Sequence, residues 1–340
     1  MPKNMPKNKD DVLSDKRKNG KERPWKPKKV CSLMLADCFQ RLGQNKRAMR
    51  VRFCSSQLAF AVNTETGEKR LHSADFCRER LCPMCAWRKS LKCFQEVSRV
   101  MDAAQQEQAN LVPIFLTLTL KNCTGEDLDG TLDTVFQGWH RLINNKRMKR
   151  IFKGWFRALE VTYNKEADTF HPHIHAILMV DKGYFKGKDY MTTAEWVKAW
   201  RKACRLSYDP VCDIRKVKGG NKAIKEVSKY TVKDSDFISE DKDLTDKLVA
   251  ILSKALRYRR LYAFGGVLKD IAKRLGADRP DEGDLIHVDE DGELRTDVGQ
   301  MIVVYRWNMG LSNYIKRGES LLSARADSTP SGQIAPSVIS

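Results

Sequence analysis

No apolar run in the 340-residue sequence approaches the length of about 18 residues that crosses a bilayer, which excludes an α-helical membrane protein. The Lys-rich start lacks the apolar core of a secretory signal, so a cytoplasmic protein is expected. No internal repeat is present. Acidic groups are in short supply: 43 Asp and Glu face 62 Lys and Arg, a formal net charge of +19. That imbalance points to a polyanionic partner, nucleic acid first, because each neutralised phosphate releases counterions. In a reducing compartment the ten cysteines read as free thiols or metal ligands before disulfides. The length suits about two domains.

Residues 1–30 carry 11 Lys and Arg against 4 Asp and Glu with little apolar content, and are expected to be a disordered basic arm. Residues 31–108 hold most of the cysteines and are read as a metal- and DNA-binding module. The central unit is 109–236. Residues 237–318 are either separate or complete the central sheet, and 319–340 read as a flexible Ser-, Ala- and Pro-containing tail. RVRFCSSQLAFAV and NTETGEKRLHSADFC read as a hairpin, followed by a helix from Ala86 to about Gln108. VPIFLTLTL suits a buried strand, and Asp129–Leu142 has helical spacing. Two strands, Gly154–Tyr163 and His173–Val180, flank a polar turn. Thr193 is placed to cap a helix containing Trp196 and Trp200. A strand at Val211–Val217, a helix at Asn221–Lys233 and a strand at Met301–Trp307 complete an α+β pattern.

Three of the six histidines fall in FHPHIHAILMV, at His171, His173 and His175. Alternate strand residues share a face, so the three imidazoles point one way and Ile174, Ala176 and Leu178 the other. Pro172 cannot donate to a ladder, so the regular strand should begin after it, leaving His173 and His175 as the secure pair. Glu160 lies in FRALEVTY, just before the hairpin turn that brings it beside them. A carboxylate there is costly unless paired or bound to a cation. Two imidazoles and one carboxylate make a facial metal site with open positions, suited to Mg²⁺ or Mn²⁺ acting on a phosphate.

In NKAIKEVSKYTVKDSD, Glu226 and Tyr230 are four apart and should share a helix face, flanked by Lys229 and Lys233. Cations and a divalent ion would favour the ionised phenol as a nucleophile, and the carboxylate could act as a general base. Such a pair is weak by itself. The histidine strand gives it meaning.

Taken together, FLTLTL (Phe115–Leu120), HPHIHAILMV and EVSKYTVK resemble the three ordered motifs of HUH endonucleases. More closely, they resemble the replication initiators of small rolling-circle plasmids in Gram-positive bacteria. The resemblance covers roughly Leu111–Asp236 and implies a central antiparallel sheet flanked by helices, behind a zinc-knuckle-like module. It implies that Glu160, His173 and His175 hold the catalytic metal, with His171 less securely placed. Tyr230 matches the nucleophile that attacks a phosphodiester at the origin and becomes joined to the DNA 5′ end. Glu226 matches the glutamate that activates water in the terminating cleavage. Thr117 and Thr119 would share one face and shape the site. The implied partners are plasmid origin DNA with a hairpin or single-stranded nick site, a host helicase and a host DNA polymerase. The competing readings are another HUH enzyme, either a relaxase or a single-strand transposase, and a non-catalytic zinc-dependent regulator that binds DNA. Relaxases usually place the tyrosine ahead of the histidines; here it follows them.

Cys77, Cys82 and Cys85 have C-x4-C-x2-C spacing, and Cys82-Pro-Met-Cys85 resembles a zinc knuckle. A structural Zn²⁺ needs a fourth ligand; Cys54 is preferred, with His72 and Cys93 as competitors. Arg78, Arg80, Arg88 and Lys89 surround the cluster, which is therefore expected to face DNA. In NNKRMKRIFKGWF, Arg147, Lys149 and Arg150 alternate with apolar groups. That run is either a single-stranded DNA surface or a solvated face over a buried Phe152 and Trp155.

Overall fold

The computed structural model describes residues 11–217, 220–229, 231–288 and 300–321. Tyr230, residues 1–10 of the expected arm and residues 322–340 of the expected tail lie outside them. The basic N-terminal segment is ordered from residue 11, contrary to the expectation of an arm over 1–30. Its anchor is Trp25, 3% exposed, which opens helix α1 (Trp25–Arg41). The indole N–H donates to Asp15 at 2.6 Å, and the ring packs edge-on against Phe60 and Trp87 at 5.6 and 4.6 Å. One large aromatic with a satisfied N–H ties down a segment that has no apolar periodicity. The RVRF run is helical rather than extended, within α2 (Asn45–Phe53), which buries Ala48 and Val51. The hairpin forms from β1 (Gln57–Asn63) and β2 (Lys69–Ala74). Helix α3 (Pro83–Glu107) begins with proline at a position where a missing N–H costs nothing.

Central strand β3 (Leu111–Thr119) is followed by α4 (Leu128–Asn144) and α5 (Lys146–Ile151). A long hairpin, β4 (Gly154–Asn164) and β5 (Thr169–Asp181), comes next, then α6 (Thr193–Cys204) and β6 (Cys212–Lys216). Helices α7 (Gly220–Val227) and α8 (Lys242–Ala255), edge strand β7 (Tyr262–Gly266) and α9 (Val267–Arg274) complete this part. The sheet order is β6-β3-β5-β4-β7, antiparallel throughout. Helices α4 and α6 pack on one face; α3, α7 and α9 cover the other. This is the expected α+β class, a central antiparallel sheet flanked by helices. Among the described residues no helix is long and apolar enough to cross a membrane.

Three local expectations change. Strand β5 runs through Pro172 instead of starting after it. The proline falls between the last β3 pair, Thr119–His173, and the Cys123–Phe170 bridge, where no ladder bond needs its N–H. Thr192, not Thr193, caps α6, in a reciprocal box with Glu195. Helix α7 stops at Val227, so the expected helix over Asn221–Lys233 does not continue past Glu226's own turn.

The strand read at Met301–Trp307 appears as β8 (Gln300–Asn308), paired with β9 (Asn313–Leu321). It does not join the central sheet. It pairs with β1, giving a second antiparallel sheet in the order β2-β1-β8-β9. The part of 237–318 that completes the central sheet is β7. Tyr314 seals the junction, donating its hydroxyl to the Ser55 carbonyl at 2.7 Å.

Candidate metal centres and their surroundings

Antiparallel register sets Glu160 of β4 directly across from His173 of β5, and His173 and His175 across from Thr119 and Thr117 of β3. Side chains opposite one another share a face, so one carboxylate, two imidazoles and two hydroxyls meet on the side covered by α3, α7 and α9. Glu160, His173 and His175 are 8%, 8% and 9% exposed. The Nε2 atoms of His173 and His175 lie 3.3 and 3.0 Å from the same Glu160 oxygen, Oε2. Their other ring nitrogens face outward. His175 Nδ1 is 3.1 Å from Thr117 Oγ1, and His173 Nδ1 is 3.2 Å from the His171 carbonyl. Donation from Nδ1 to these two oxygens would let both Nε2 atoms exchange the proton they share with Glu160 for a metal ion, the tautomer that a metal site requires. One ligand atom from each residue lies within 4.8 Å of the others, so the three fit a divalent ion. Burial alone would raise the Glu160 carboxyl, but hydrogen bonds from His173 and His175 hold it well below the usual carboxylate range. His171 is not part of the cluster; its Nδ1 lies 2.7 Å from Asn122 Oδ1.

Thr117 gives a direct test of this outward bonding. Thr117→Val keeps the strand and its volume but removes the partner of His175 Nδ1. It is expected to weaken Mn²⁺ binding by about 10- to 100-fold, as measured by calorimetry. Unchanged affinity would show that the ring needs no such support.

The residues around position 230 attach to β4 and to its edge neighbour β7. Val161, next to Glu160, donates its N–H to the Thr231 carbonyl at 2.7 Å, and Tyr262 donates its hydroxyl to the Lys229 carbonyl at 2.9 Å. Lys28 of α1 reaches across to both oxygens of Asp234 at 2.9 Å. Glu226 sits in the last turn of α7 and pairs with Lys229 at 2.6 Å; Lys233 is exposed. Tyr230 itself lies outside the described residues.

The second cluster gathers Cys54, Cys77, Cys82 and Cys85. Sulfur separations are 3.6 Å for Cys54–Cys85 and Cys77–Cys85, and 3.7 Å for Cys54–Cys82. Zn–S bonds of about 2.3 Å place tetrahedral sulfurs about 3.8 Å apart, so this donor set fits Zn²⁺. Cys54 follows α2, ahead of the hairpin, while Cys93 is buried within α3 and His72 lies exposed on β2. Backbone N–H groups of Cys77 and Arg78 donate to Cys54 and Cys85 sulfurs at 3.5 and 3.3 Å. Burial opposes ionisation of Cys82, but hydrogen bonds from Cys54, Cys77, Cys85 and Ser32 bring its thiol well below its ordinary value.

Lys29 is a functional candidate that carries no signal in its local sequence. It is fully buried, and its ammonium donates to the carbonyls of Arg52 and Cys54 at 2.8 and 2.6 Å. Burial lowers its pKa to about 8, while the Cys54, Cys82 and Cys77 sulfurs pull the other way. A cation beneath four thiolates offsets the charge that a Zn²⁺ leaves uncompensated.

The expected basic surfaces are only partly free. Arg88 is buried, donating to the carbonyls of Leu285, Ile286 and Val288, and Arg80 donates to those of Leu256 and Arg259. Both hold the protein's own chain. Phe152 stacks on Trp196 and Trp155 meets Trp139 edge-on, so neither ring is offered to bases. Arg147 pairs with Glu195 at 3.0 Å and Arg150 with Asp189 at 3.2 Å, while Lys149 is exposed. These three precede Gly154, roughly 20 Å along β4 from Glu160.

Comparison with known proteins gives the geometry a family. A family model described as a replication protein, Rep, matches residues 68–315. The chain is 38% identical to a Rep protein of Bacillus amyloliquefaciens, with 89% of this chain and 97% of the relative aligned. It is 36% identical to a Rep protein of Streptococcus pneumoniae, over 92% and 98% of the two chains. A replication protein of Staphylococcus aureus is 36% identical over 57% of this chain and 86% of its own. No solved structure matches the chain at a significant level. A match over most of the chain, carried by relatives aligned nearly end to end, shows that the protein belongs to the Rep family of plasmid replication initiators.

Proposed function

We propose that this initiator is a metal-dependent, tyrosine-dependent single-strand endonuclease and strand transferase that starts rolling-circle replication at its plasmid origin. The observation that carries the reading is the convergence of His173 Nε2 and His175 Nε2 on one Glu160 oxygen, with both Nδ1 atoms engaged outward. A bound Mg²⁺ or Mn²⁺ supplies Lewis-acid stabilisation of charge on a scissile phosphate. Glu160, His173 and His175 would hold that ion, and as only three ligands they would leave it accessible to a phosphate. The Tyr230 phenolate attacks phosphorus; the bond to the 3′ oxygen breaks and a tyrosyl ester to the DNA 5′ end forms. The freed 3′-OH primes a host polymerase, with a host helicase unwinding ahead. Energy kept in the ester allows a later rejoining, which direct hydrolysis would forfeit. Glu226 is assigned to activating water in the closing cleavage, with Lys229 and Lys233 drawing in the backbone. The four-cysteine cluster is assigned a structural Zn²⁺, and the protein acts in the cytoplasm where its plasmid resides.

The test uses the full chain, Mn²⁺ and single-stranded origin oligonucleotides labelled at the 3′ end. The expected product is labelled protein on a denaturing gel, lost with chelator, with the linkage mapped by peptide mass to Tyr230. Binding of origin fragments without any adduct would leave a DNA-binding regulator in place of the nuclease.

A further inference from the structure

The turn between α8 and β7 carries an aromatic side chain in an unusual setting. Tyr258 has φ of 59°, the single aromatic among the described non-glycine residues with positive φ. It is 87% exposed, more than any other large hydrophobic residue described. Left-handed backbone suits glycine after a helix and is strained for a bulky side chain. Such strain persists only where surroundings over-determine it, and it concentrates at functional sites.

Here the surroundings do so. Arg80, from the cysteine segment, donates to the carbonyls of Leu256 and Arg259 at 2.6 and 2.9 Å. Arg157, buried in β4, donates to those of Arg260 and Leu261 at 3.1 and 3.2 Å. Arg259 reaches Asp129 and Asp133 of α4 at 2.6 and 2.5 Å. The ring is therefore presented on a rigid base. The Arg257 guanidinium lies 4.6 Å from its centroid and donates to its hydroxyl at 2.7 Å.

The position matters as much as the strain. Tyr262 pairs with Ala158, and the Leu159 N–H donates to the Leu261 carbonyl, so the turn enters beside the Glu160 end of β4. A cavity of about 60 Å³, lined in part by Arg80, Lys89, Thr231, Leu256 and Tyr262, separates the turn from the segment after position 230. We infer that Tyr258, backed by Arg257, is a stacking platform for an unpaired base of the single-stranded DNA that reaches the metal-bearing end of the sheet. Aromatic faces bind bases without sequence preference, and an adjacent guanidinium adds attraction for base and phosphate. This inference rests on the proposed nicking function for its choice of ligand.

The experiment measures binding of an origin oligonucleotide carrying 2-aminopurine at successive positions, in chelator so that no strand is cut. Tyr258→Ala is expected to raise Kd roughly 5- to 100-fold and to abolish quenching at one position. Tyr258→Phe should bind within about twofold of wild type, since the ring and not the hydroxyl stacks. Tyr258→Gly relieves the backbone, so its Tm should not fall although its affinity drops as in the alanine variant. A residue kept for packing would show the reverse. Alanine binding as tightly as wild type, or phenylalanine as weak as alanine, overturns the proposal. If position-specific quenching is present and no adduct ever forms with Mn²⁺, the nicking reading fails and the platform stands.

Discussion

Glu160→Gln is expected to lower metal-dependent strand cleavage by about a thousandfold or more, a loss of about 4 kcal/mol in transition-state stabilisation. The amide keeps the side chain's volume and sits in the same strand register, so the β4–β5 hairpin should survive. What disappears is the negative charge that the His173 and His175 Nε2 atoms share at 3.3 and 3.0 Å. Without it a divalent ion has two neutral nitrogen donors and one amide oxygen, a set that Mg²⁺ and Mn²⁺ bind poorly. Calorimetry with Mn²⁺ and adduct formation at a fixed metal concentration should therefore fail together. DNA affinity in chelator should hold within a few-fold, because basic groups elsewhere provide it. A variant retaining metal-dependent cleavage within tenfold would remove Glu160 from the site.

Strand periodicity made this centre readable before any fold was known. Residues at i and i+2 on a strand share a face whatever packs above them, so His173 and His175 paired from spacing alone. A short polar turn then left Glu160 one antiparallel neighbour to meet. Other features depended on partners distant in sequence. Nothing local assigns β8 to β1 in place of the central sheet, since both have the same apolar, β-branched character. The segment around Trp25 lacks periodicity and was expected to be disordered, yet one indole, Asp15 and the buried Lys29 order it. Valine and phenylalanine in RVRF favour a strand locally; the helix wins because Ala48 and Val51 pack against α1 and Arg47 bonds Glu79. For the fourth ligand the sequence favours Cys54 but leaves His72 and Cys93 as competitors, because only the chain's path decides which approaches the knuckle. Spacing placed Glu226 and Tyr230 on one helix, but α7 ends at Val227, and what orders the segment beyond it is contact with β4 and β7.

Cys82→Ser is expected to unfold the N-terminal part of the protein and to impair DNA cleavage at the distant metal centre as well. Structural zinc in small modules contributes about 10–16 kcal/mol at neutral pH, comparable with the whole stability of a domain at about 5–15 kcal/mol. Cys82 is fully buried, sits immediately before α3, and contacts Ser32 of α1 at 3.5 Å. Losing the ion leaves the Lys29 ammonium and three thiols enclosed without compensation. The consequence then travels through named contacts. Lys28 of α1 holds Asp234, and Arg80 of the cysteine segment holds the turn at Leu256 and Arg259. Both segments border the chain that carries position 230. Elemental analysis should find one zinc per chain in wild type and none in the variant, with a loss of cooperative melting below physiological temperature. Stripping zinc from wild type should abolish adduct formation, and Mn²⁺ alone should not restore it, whereas Zn²⁺ followed by Mn²⁺ should. Cys123→Ser, at a half-buried thiol outside the cluster, serves as the control and should melt like wild type. Equal melting of the Cys82 and Cys123 variants, with no zinc in either, would show that the four thiols hold the fold without an ion.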